Sequence, residues 1–499
     1  MTRHRFSRPR RALWTAILWL AVAAAAGASD SAEADTVLTG RLIAIWGDSP
    51  PGSGGGARLV WSLASDAGEN VMLDLDDELV ASIGGPLAAN GAHVQVLLEA
   101  GEPPHRVTAL VRQRDTDPLS PNLAPASQLI TGSQPWISLL CKFSNIAQQP
   151  HDLAFFQSMF ANSPGRLDHY WREVSYNTAN VAGSTAAGWV VLPHVQTYYV
   201  PTPGAGCLDG NPSNDANLQA LFDDCAAAAD PLVDFSAGGG FVGINLMFNS
   251  DLDGCAWGGG AFATLDGVSK VWRTTWEPPW GYANVSAMAH EMGHGFGLPH
   301  SNNWDDDGWP YDNSWDVMSD NWSYTAEDAV YGTLGQHTIA FHKDVLGWIP
   351  PSQKLVAPAT GQVTFILDDL ALASTPNYRM AEIPVSSGFD SWTVEVRART
   401  GSYDGQLPTK AVIIHQIDRS RSEAAWCYDS AVPPGNSADG EGSIWREGET
   451  FEYPAEQLQV RVNAETAQGF RVTIRHVDPN GLFSDGFESG SASQWSIAP

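Results

Sequence analysis

The segment from His290 to His300 constrains this chain more than any other part of its sequence. It reads HEMGHGFGLPH, in which His290 and His294 are four residues apart. Residues i and i+4 lie on one face of an α-helix, about one turn apart, so a helix here brings these two imidazoles together. Gly297 can adopt a positive φ, which would end the helix and turn the chain back toward the same point. We therefore predict a helix and a tight turn that together gather three histidines.

Three imidazoles gathered in this way are a ligand set typical of catalytic zinc. Three protein ligands leave a fourth coordination position open for water, whereas a structural zinc site is closed by four. Glu291 follows the first histidine and can accept a proton as a general base. The chain has 13 histidines in 499 residues, so a chance match at all five fixed positions has a probability on the order of 10⁻⁴. We expect one Zn²⁺ ion bound by His290, His294 and His300, with Glu291 as the catalytic residue.

The long motif resembles that of the metzincin zinc metallopeptidases. Those proteins carry a Met-turn below the metal, and Met318 follows His300 at the distance where this turn would be expected. The resemblance implies that Met318 forms a hydrophobic floor under the three imidazoles. It also implies a metzincin-like α+β catalytic domain, built from a mixed twisted sheet plus helices. Further segments resemble gametolysin-type and immune-inhibitor-A-type secreted bacterial proteases, at residues 170–176, 188–189, 192–193, 342–349 and 395–397.

Two features depart from that resemblance. Some metzincins have a tyrosine two residues after the methionine, but Asp320 stands at that position. Tyr324 and Tyr331 are therefore the candidates for stabilising the oxyanion. In addition, no cysteine precedes Cys141, so a propeptide thiol cannot cap the zinc. An inhibitory N-terminal domain would have to use another ligand, such as a carboxylate, or simply block the cleft.

The organisation of the chain follows from changes in its composition. An arginine-rich start and a short apolar run predict a secretory signal peptide. Alternating apolar residues bounded by glycine and proline predict β-domains on both sides of the catalytic domain: an N-terminal β-barrel or sandwich, which could be a propeptide, and a C-terminal β-sandwich-like domain. The predicted ranges are 1–34 for the signal peptide, 35–115 for the N-terminal β-domain, 116–135 for a linker, 136–350 for the catalytic domain, 351–480 for the C-terminal β-domain and 481–499 for a flexible tail. The strands predicted in the N-terminal β-domain are 37–46, 57–65, 70–75, 93–98 and 107–112.

Five cysteines in an exported chain allow disulfide bonds. Cys207 and Cys225 bracket a short polar loop, which favours their pairing, and Cys141 with Cys255 is the weaker second choice. Because five is odd, at least one thiol has no partner within the chain.

Charge and acidic motifs bear on binding partners. The chain has 27 Lys and Arg against 56 Asp and Glu, a net charge of −29, which argues against nucleic-acid or anionic-membrane partners. Residues 249–254 and 303–308 both follow the pattern N-x-D-x-D-G, which begins like a calcium loop but lacks the closing glutamate. Solvated Asx turns are the default interpretation of these loops, and Ca²⁺ at a site of other geometry stays open. No segment is long enough for a membrane span, and the sequence does not determine the oligomeric state.

The function predicted from these features is a secreted zinc metalloendopeptidase, a hydrolase acting on protein or peptide substrates. The resemblance also implies that substrate lies along an edge strand near residues 256–264, since proteases read extended peptide backbones by strand addition. Two alternatives stay open at this point. One is a secreted zinc hydrolase that acts on a non-protein polymer. The other is a protein that binds a surface polymer, with an incidental zinc site.

Overall fold

The computed structural model describes residues 35–53, 55–113, 129–305, 307–386 and 388–476. The predicted signal peptide, most of the predicted linker and the predicted C-terminal tail lie outside these ranges.

Within the described ranges, the strands are β1 (Thr36–Asp48), β2 (Ala57–Ser65), β3 (Asn70–Asp74), β4 (His93–Leu98), β5 (His105–Arg112), β6 (Gly132–Ser133), β7 (Trp136–Lys142), β8 (Ala179–Asn180), β9 (Thr185–Val191), β10 (Gly243–Phe248), β11 (Ala256–Leu265), β12 (Val268–Glu277), β13 (Ser301–Asn302), β14 (Glu327–Asp328), β15 (Gly332–Thr333), β16 (Lys354–Val356), β17 (Gly361–Asp368), β18 (Met380–Pro384), β19 (Ser391–Arg397), β20 (Ala411–Ile417), β21 (Ala425–Cys427), β22 (Thr450–Tyr453), β23 (Leu458–Glu465) and β24 (Gly469–His476). The α-helices are α1 (Asp77–Ser82), α2 (Pro86–Ala89), α3 (Leu153–Ser158), α4 (Leu167–Val174), α5 (Gln196–Tyr199), α6 (Leu218–Ala229), α7 (Pro279–Tyr282), α8 (Val285–Gly295) and α9 (Ala340–Val345).

The first five strands form a closed barrel. Their order is β2-β3-β5-β4-β1, and β1 pairs again with β2 to close the ring. Alternate residues of β1, such as Leu42, Ala44 and Trp46, point into the barrel core, as the period of two in a strand requires. The prediction of a β-barrel or sandwich is thus confirmed as a barrel, and the bounds of β2 and β4 are the predicted ones.

Strand β1 also belongs to a second, larger sheet. Its first residues pair with β4, and its last three, Trp46 to Asp48, pair antiparallel with β11. From β11 the hydrogen bonding continues in the order β12-β10-β7-β9. The strands β9, β7, β10 and β12 are parallel, and β11 runs antiparallel to β12. The barrel and the central sheet therefore form one continuous hydrogen-bonded ladder.

Helices cover both faces of the central sheet. Every residue of β10 is buried, as expected for a parallel strand covered on both sides. Leu221 and Phe222 of α6 share one apolar core with Ile244 and Leu246 of β10, whereas Met288 of α8 lies in a second core on the opposite face. This arrangement fixes α8, which carries the histidine motif, against the sheet.

The C-terminal part of the chain consists of two further sheets. One has the strand order β13-β21-β20-β19-β18-β16 and the other β17-β24-β23-β22. Apolar side chains that include Trp392, Val394, Val460 and Val472 fill a common core between them. The short strand β13, which directly follows the histidine motif, pairs with β21 of this part. The C-terminal sheets therefore contact the segment that carries the third histidine.

A buried arginine strengthens the same connection. Arg397 of β19 is paired with Asp404 at 2.8 Å, and both side chains are inaccessible to solvent. Its guanidinium also donates hydrogen bonds to the carbonyl oxygens of Trp315 and His337. Trp315 lies three residues before Met318, so the C-terminal sheet holds the segment beneath the motif helix.

The disulfide prediction is corrected by the fold. The pairs are Cys141–Cys225 and Cys207–Cys255, with Cα atoms 5.9 Å and 6.1 Å apart, and Cys427 is buried and free. The prediction favoured cysteines that are close in sequence. In the fold, however, Cys141 on β7 faces Cys225 on α6, which packs over the sheet. The expectation of one unpaired thiol is confirmed for the chain.

Among the residues that the structure describes, no helix is long and apolar enough to cross a bilayer. The described fold as a whole is a set of several sheets with few helices, mostly β in content.

Disulfide mapping tests this topology. Digestion of the unreduced protein should release peptides linked through Cys141–Cys225 and Cys207–Cys255, as identified by mass spectrometry. The thiol of Cys427 should react with an alkylating reagent only after denaturation, because it is buried. Recovery of a peptide linked through Cys207–Cys225 would contradict the packing of α6 on β7.

Candidate metal centre

Helix α8 positions the first part of the motif as predicted. It runs from Val285 to Gly295, and His290, Glu291 and His294 are all buried. Gly297 has a φ of 95°, a conformation that favours glycine. The chain turns there, and Leu298 N–H donates a hydrogen bond of 3.0 Å back to the carbonyl oxygen of Gly293. The turn returns the chain to the helix and brings in the third histidine.

The three imidazoles meet at one point. The Nε2 atoms of His290, His294 and His300 are each 3.1 Å from the other two. The Nδ1 atom of His290 lies 2.7 Å from the carbonyl oxygen of Val317, and that of His294 lies 2.7 Å from the carbonyl oxygen of Leu298. A carbonyl only accepts, so these two Nδ1 atoms carry protons and their Nε2 lone pairs face the centre.

A carboxylate completes the group. Asp48, the last residue of β1, places Oδ1 2.8 Å from Nε2 of His300 and 3.5 Å from Nε2 of His290, and Oδ2 3.3 Å from Nε2 of His294. Asp48 is buried, and its Oδ2 atom has no hydrogen-bond partner within the described chain. The N-terminal barrel thus adds a carboxylate to the three imidazoles, as a candidate fourth metal ligand.

These four side chains could hold a metal ion. Lone pairs of imidazole nitrogens and carboxylate oxygens repel one another at about 3 Å unless a proton or a cation lies between them. Donor atoms about 2.0–2.1 Å from a tetrahedral Zn²⁺ ion would be about 3.3 Å apart, close to the observed separations. A bound ion would also give the unpartnered Oδ2 atom of Asp48 a positive charge to interact with. The residues therefore fit a metal such as zinc.

Electrostatics favour the metal-binding protonation states of two of the four groups, His294 and Asp48. Burial lowers the pKa of His294 to about 3, which keeps its imidazole neutral. Burial by itself would raise the pKa of Asp48, but the facing His300 and His290 outweigh it and leave the pKa well below its usual range. A neutral imidazole and an ionised carboxylate are the forms that bind metal.

Strand β1 approaches the cluster as an extended polypeptide. Trp46 stacks on the imidazole of His294, with ring centroids 4.7 Å apart and planes inclined by 9°. Trp46 is paired with Gly258 of β11, and Asp48 with Ala256. A Cβ on Gly258 would collide with the backbone of Glu291, so β11 lies directly against α8. The predicted edge near residues 256–264 is β11, and β1 occupies it.

Glu291 is buried beside the two histidines of the helix. Its side chain is 1% exposed, and its Oε2 atom has no hydrogen-bond partner in the described part of the chain. Burial raises its pKa well above the usual range, and the charges of Asp48 and Glu277 add to this effect. Glu277, at the end of β12, is itself fully buried, and burial raises its pKa to about 8. A buried carboxyl without a hydrogen-bond partner is free to exchange a proton with a group placed beside it.

Met318 lies beneath the motif helix. It is fully buried in the core that also contains Met288 and Met292 of α8. A Cβ on Gly293 would collide with its sulfur, so the thioether packs directly against the helix between His290 and His294. Its N–H donates to Asp316, whose carboxylate also accepts hydrogen bonds from neighbouring side chains.

The two tyrosines predicted as oxyanion stabilisers bond elsewhere. The hydroxyl of Tyr324 donates to Asp439, and that of Tyr331 donates to the carbonyl oxygen of Phe155. The tyrosine that reaches the cluster is Tyr311, whose hydroxyl donates a hydrogen bond of 2.6 Å to Oδ1 of Asp48. Both predicted tyrosines follow Met318 in sequence, whereas Tyr311 lies in the loop before it, which returns to the histidine cluster.

Sequence reasoning missed Asp48, Trp46 and Tyr311. A carboxylate was considered as a capping ligand, but no local pattern distinguished Asp48 from other acidic residues. For Tyr311 a signal existed, since it is the only tyrosine between His300 and Met318.

Comparison with protein-family models, with curated proteins and with solved structures gives no match to this chain.

Metal analysis tests the assembly of the cluster. We expect one zinc ion per purified chain, and His300→Ala should weaken zinc affinity at least about tenfold, because loss of a ligand costs no less than loss of a supporting residue. The control is His105→Ala, since His105 lies on β5 of the barrel, outside the cluster. Unchanged zinc content in a folded His300→Ala protein would remove His300 from the ligand set.

Proposed function

We propose that this chain is a zinc-dependent metalloendopeptidase of the metzincin type, held latent by its own N-terminal barrel. The observation that carries the proposal is that an extended strand of polypeptide, β1, pairs with β11 and ends at the histidine cluster. A cleft that accepts backbone in this way suits a peptide substrate better than a polysaccharide or another polymer. This favours peptide hydrolysis over the two alternatives.

His290, His294 and His300 would hold the metal. Zinc bound there would polarise the scissile carbonyl group and lower the pKa of the attacking water. Glu291 would accept the proton of that water and deliver it to the amine of the leaving peptide, which its buried position beside the cluster allows. The observed edge of β11 would align the substrate backbone by main-chain hydrogen bonds.

Tyr311 would stabilise the oxygen that becomes negatively charged. Its hydroxyl now donates to Oδ1 of Asp48, a negatively charged oxygen beside the imidazoles. Once Asp48 has left, the same donor would face the substrate oxygen that occupies its place. Its ring is held against His300, with ring centroids 5.6 Å apart, so the hydroxyl would be directed before substrate arrives.

Two parts of β1 would keep the enzyme latent: Asp48 at the histidine cluster and the residues that pair with β11. Asp48 fills the position that water needs, and Trp46 with its neighbours fills the strand position that substrate needs. Removal of the barrel would open both at once. The two disulfide bonds suit an exported enzyme, in line with the secretion predicted from the first 34 residues.

Replacing Asp48 should activate the intact chain. Asp48→Asn removes the charge that favours metal ligation while preserving shape, so β1 should leave the cleft more often. We therefore expect casein hydrolysis to rise at least about tenfold, a difference of about 1.4 kcal/mol. The metal should also be lost faster to a chelator, because its fourth ligand is weaker. The readouts are the initial rate and the rate of metal transfer, with gels to show that the chain stays intact.

The matched control is Asp66→Asn, an acidic residue of the same barrel that pairs with His93 far from the cluster. It should leave both rates unchanged. If intact wild-type protein already cleaves casein as fast as Asp48→Asn, the latency part of the proposal is wrong, whereas the peptidase part survives.

Removing the general base should abolish catalysis without removing the metal. In the Asp48→Asn background, Glu291→Gln should lower kcat/KM at least about 100-fold, the usual contribution of a positioned acid–base group. Zinc content should stay at one per chain. Glu327→Gln, an exposed carboxyl on β14, serves as the control. Casein cleavage by the Glu291→Gln double variant at the parent rate would contradict the mechanism.

A further inference from the structure

The two N-x-D-x-D-G loops have the same pattern but different surroundings. In the first, Asp253 is fully engaged: its Oδ2 accepts a hydrogen bond of 2.8 Å from Ala216 N–H, and its Oδ1 accepts one of 3.0 Å from the indole of Trp257. Asn249 likewise accepts from Phe143 N–H and donates to backbone carbonyls. In this loop the side-chain oxygens of Asn249 and Asp253 already have donors.

The second loop gathers three carboxylates, and one of them, Asp312, keeps an oxygen without a donor in the described structure. One carboxylate oxygen from each of Asp305, Asp307 and Asp312 lies within 4.8 Å of the other two. Asp312 is only 5% exposed. Its Oδ1 accepts a hydrogen bond from Asn303 N–H, but its Oδ2 is buried and has no hydrogen-bond partner in the described structure.

Burying an unpartnered carboxylate oxygen of Asp312 beside the carboxylates of Asp305 and Asp307 destabilises the folded chain. Burial raises the pKa of Asp312 to about 8, and the charges of Asp305 and Asp307 add to this effect. A cation among the three groups would offset both the repulsion and the desolvation. The geometry itself, rather than the charge alone, distinguishes this loop from the loop at 249–254.

We propose that Asp305, Asp307 and Asp312 bind a Ca²⁺ ion. Calcium takes oxygen ligands at about 2.3–2.6 Å, so two oxygens on one ion can be up to about 5 Å apart, which the observed separation satisfies. The ligands are all oxygens, as a hard cation requires, and they come from a loop that can add backbone carbonyls. Mg²⁺ demands a smaller, near-octahedral site and is expected to bind more weakly.

The proposed calcium site lies in the same loop as Tyr311, so calcium would affect the histidine cluster through the covalent connection between them. Asp312 is adjacent to Tyr311, whose hydroxyl contacts Asp48, and Asn303 lies three residues after His300. Calcium would therefore order the loop that carries Tyr311 between the third histidine and Met318. The binding proposal does not depend on peptidase activity, because it concerns a separate ligand set.

The experiment uses the intact, zinc-loaded protein. Tb³⁺ is a luminescent substitute for Ca²⁺ that is sensitised by nearby indoles, and Trp304 and Trp309 lie within this loop. We expect one sensitised Tb³⁺ ion per chain, displaced by Ca²⁺ with a dissociation constant on the order of 10⁻⁴ M and far less readily by Mg²⁺. Saturating Ca²⁺ should also raise the Tm by at least about 2 °C.

Three variants decide the outcome. Asp312→Asn and the more exposed Asp307→Asn should each weaken Ca²⁺ binding at least about tenfold, and the second guards against misfolding of the first. Asp251→Asn, in the loop with the same pattern, should leave binding unchanged. The proposal is overturned if the wild-type chain shows no Ca²⁺-displaceable Tb³⁺ signal, or if folded Asp307→Asn binds Ca²⁺ as tightly as wild type.

Discussion

The meeting of Asp48 with three imidazoles is the interaction on which the rest of the molecule depends. Buried groups that can only accept, gathered about 3 Å apart, are stable only around a cation or a proton. The elements that converge here come from every part of the described chain. β1 ends in Asp48, α8 supplies two histidines, and the loop secured by β13 supplies the third. The proposed calcium loop follows the same principle with carboxylates alone.

The parts of this centre that sequence could predict are those fixed by local geometry. The spacing of His290 and His294 on a helix, and the turn at Gly297, depend on a few adjacent residues, so the pattern carries them. Asp48 could not be found in this way. Its role depends on β1 leaving the barrel and pairing with β11, and no local preference encodes that long-range pairing. The prediction of the disulfide pairs failed for the same reason. Cys141 and Cys225 are 84 residues apart, and only the packing of α6 over β7 brings them together.

The β-rich parts were predictable to a similar degree. Alternation of apolar residues gave correct strand positions in the barrel, because one face of each strand must be buried. It could not show that the barrel closes, or that its first strand continues into a neighbouring sheet. The two N-x-D-x-D-G loops show the limit most clearly. Their patterns are identical, yet Asp253 finds an indole and a backbone donor while Asp312 keeps an oxygen without one.

The pairing of β13 with β21 has a consequence for how the protein can mature. The third histidine stands immediately before β13, and Arg397 of the C-terminal sheet binds the carbonyl oxygen of Trp315 below the cluster. Cutting away the C-terminal sheets would therefore dismantle the metal centre. The N-terminal barrel hydrogen-bonds to the central sheet through three paired residues of β1, and it contributes none of the three imidazoles. If the barrel is released as we propose, one end of the chain can be removed and the other is needed by the histidine cluster, so productive processing would start from the amino-terminal side.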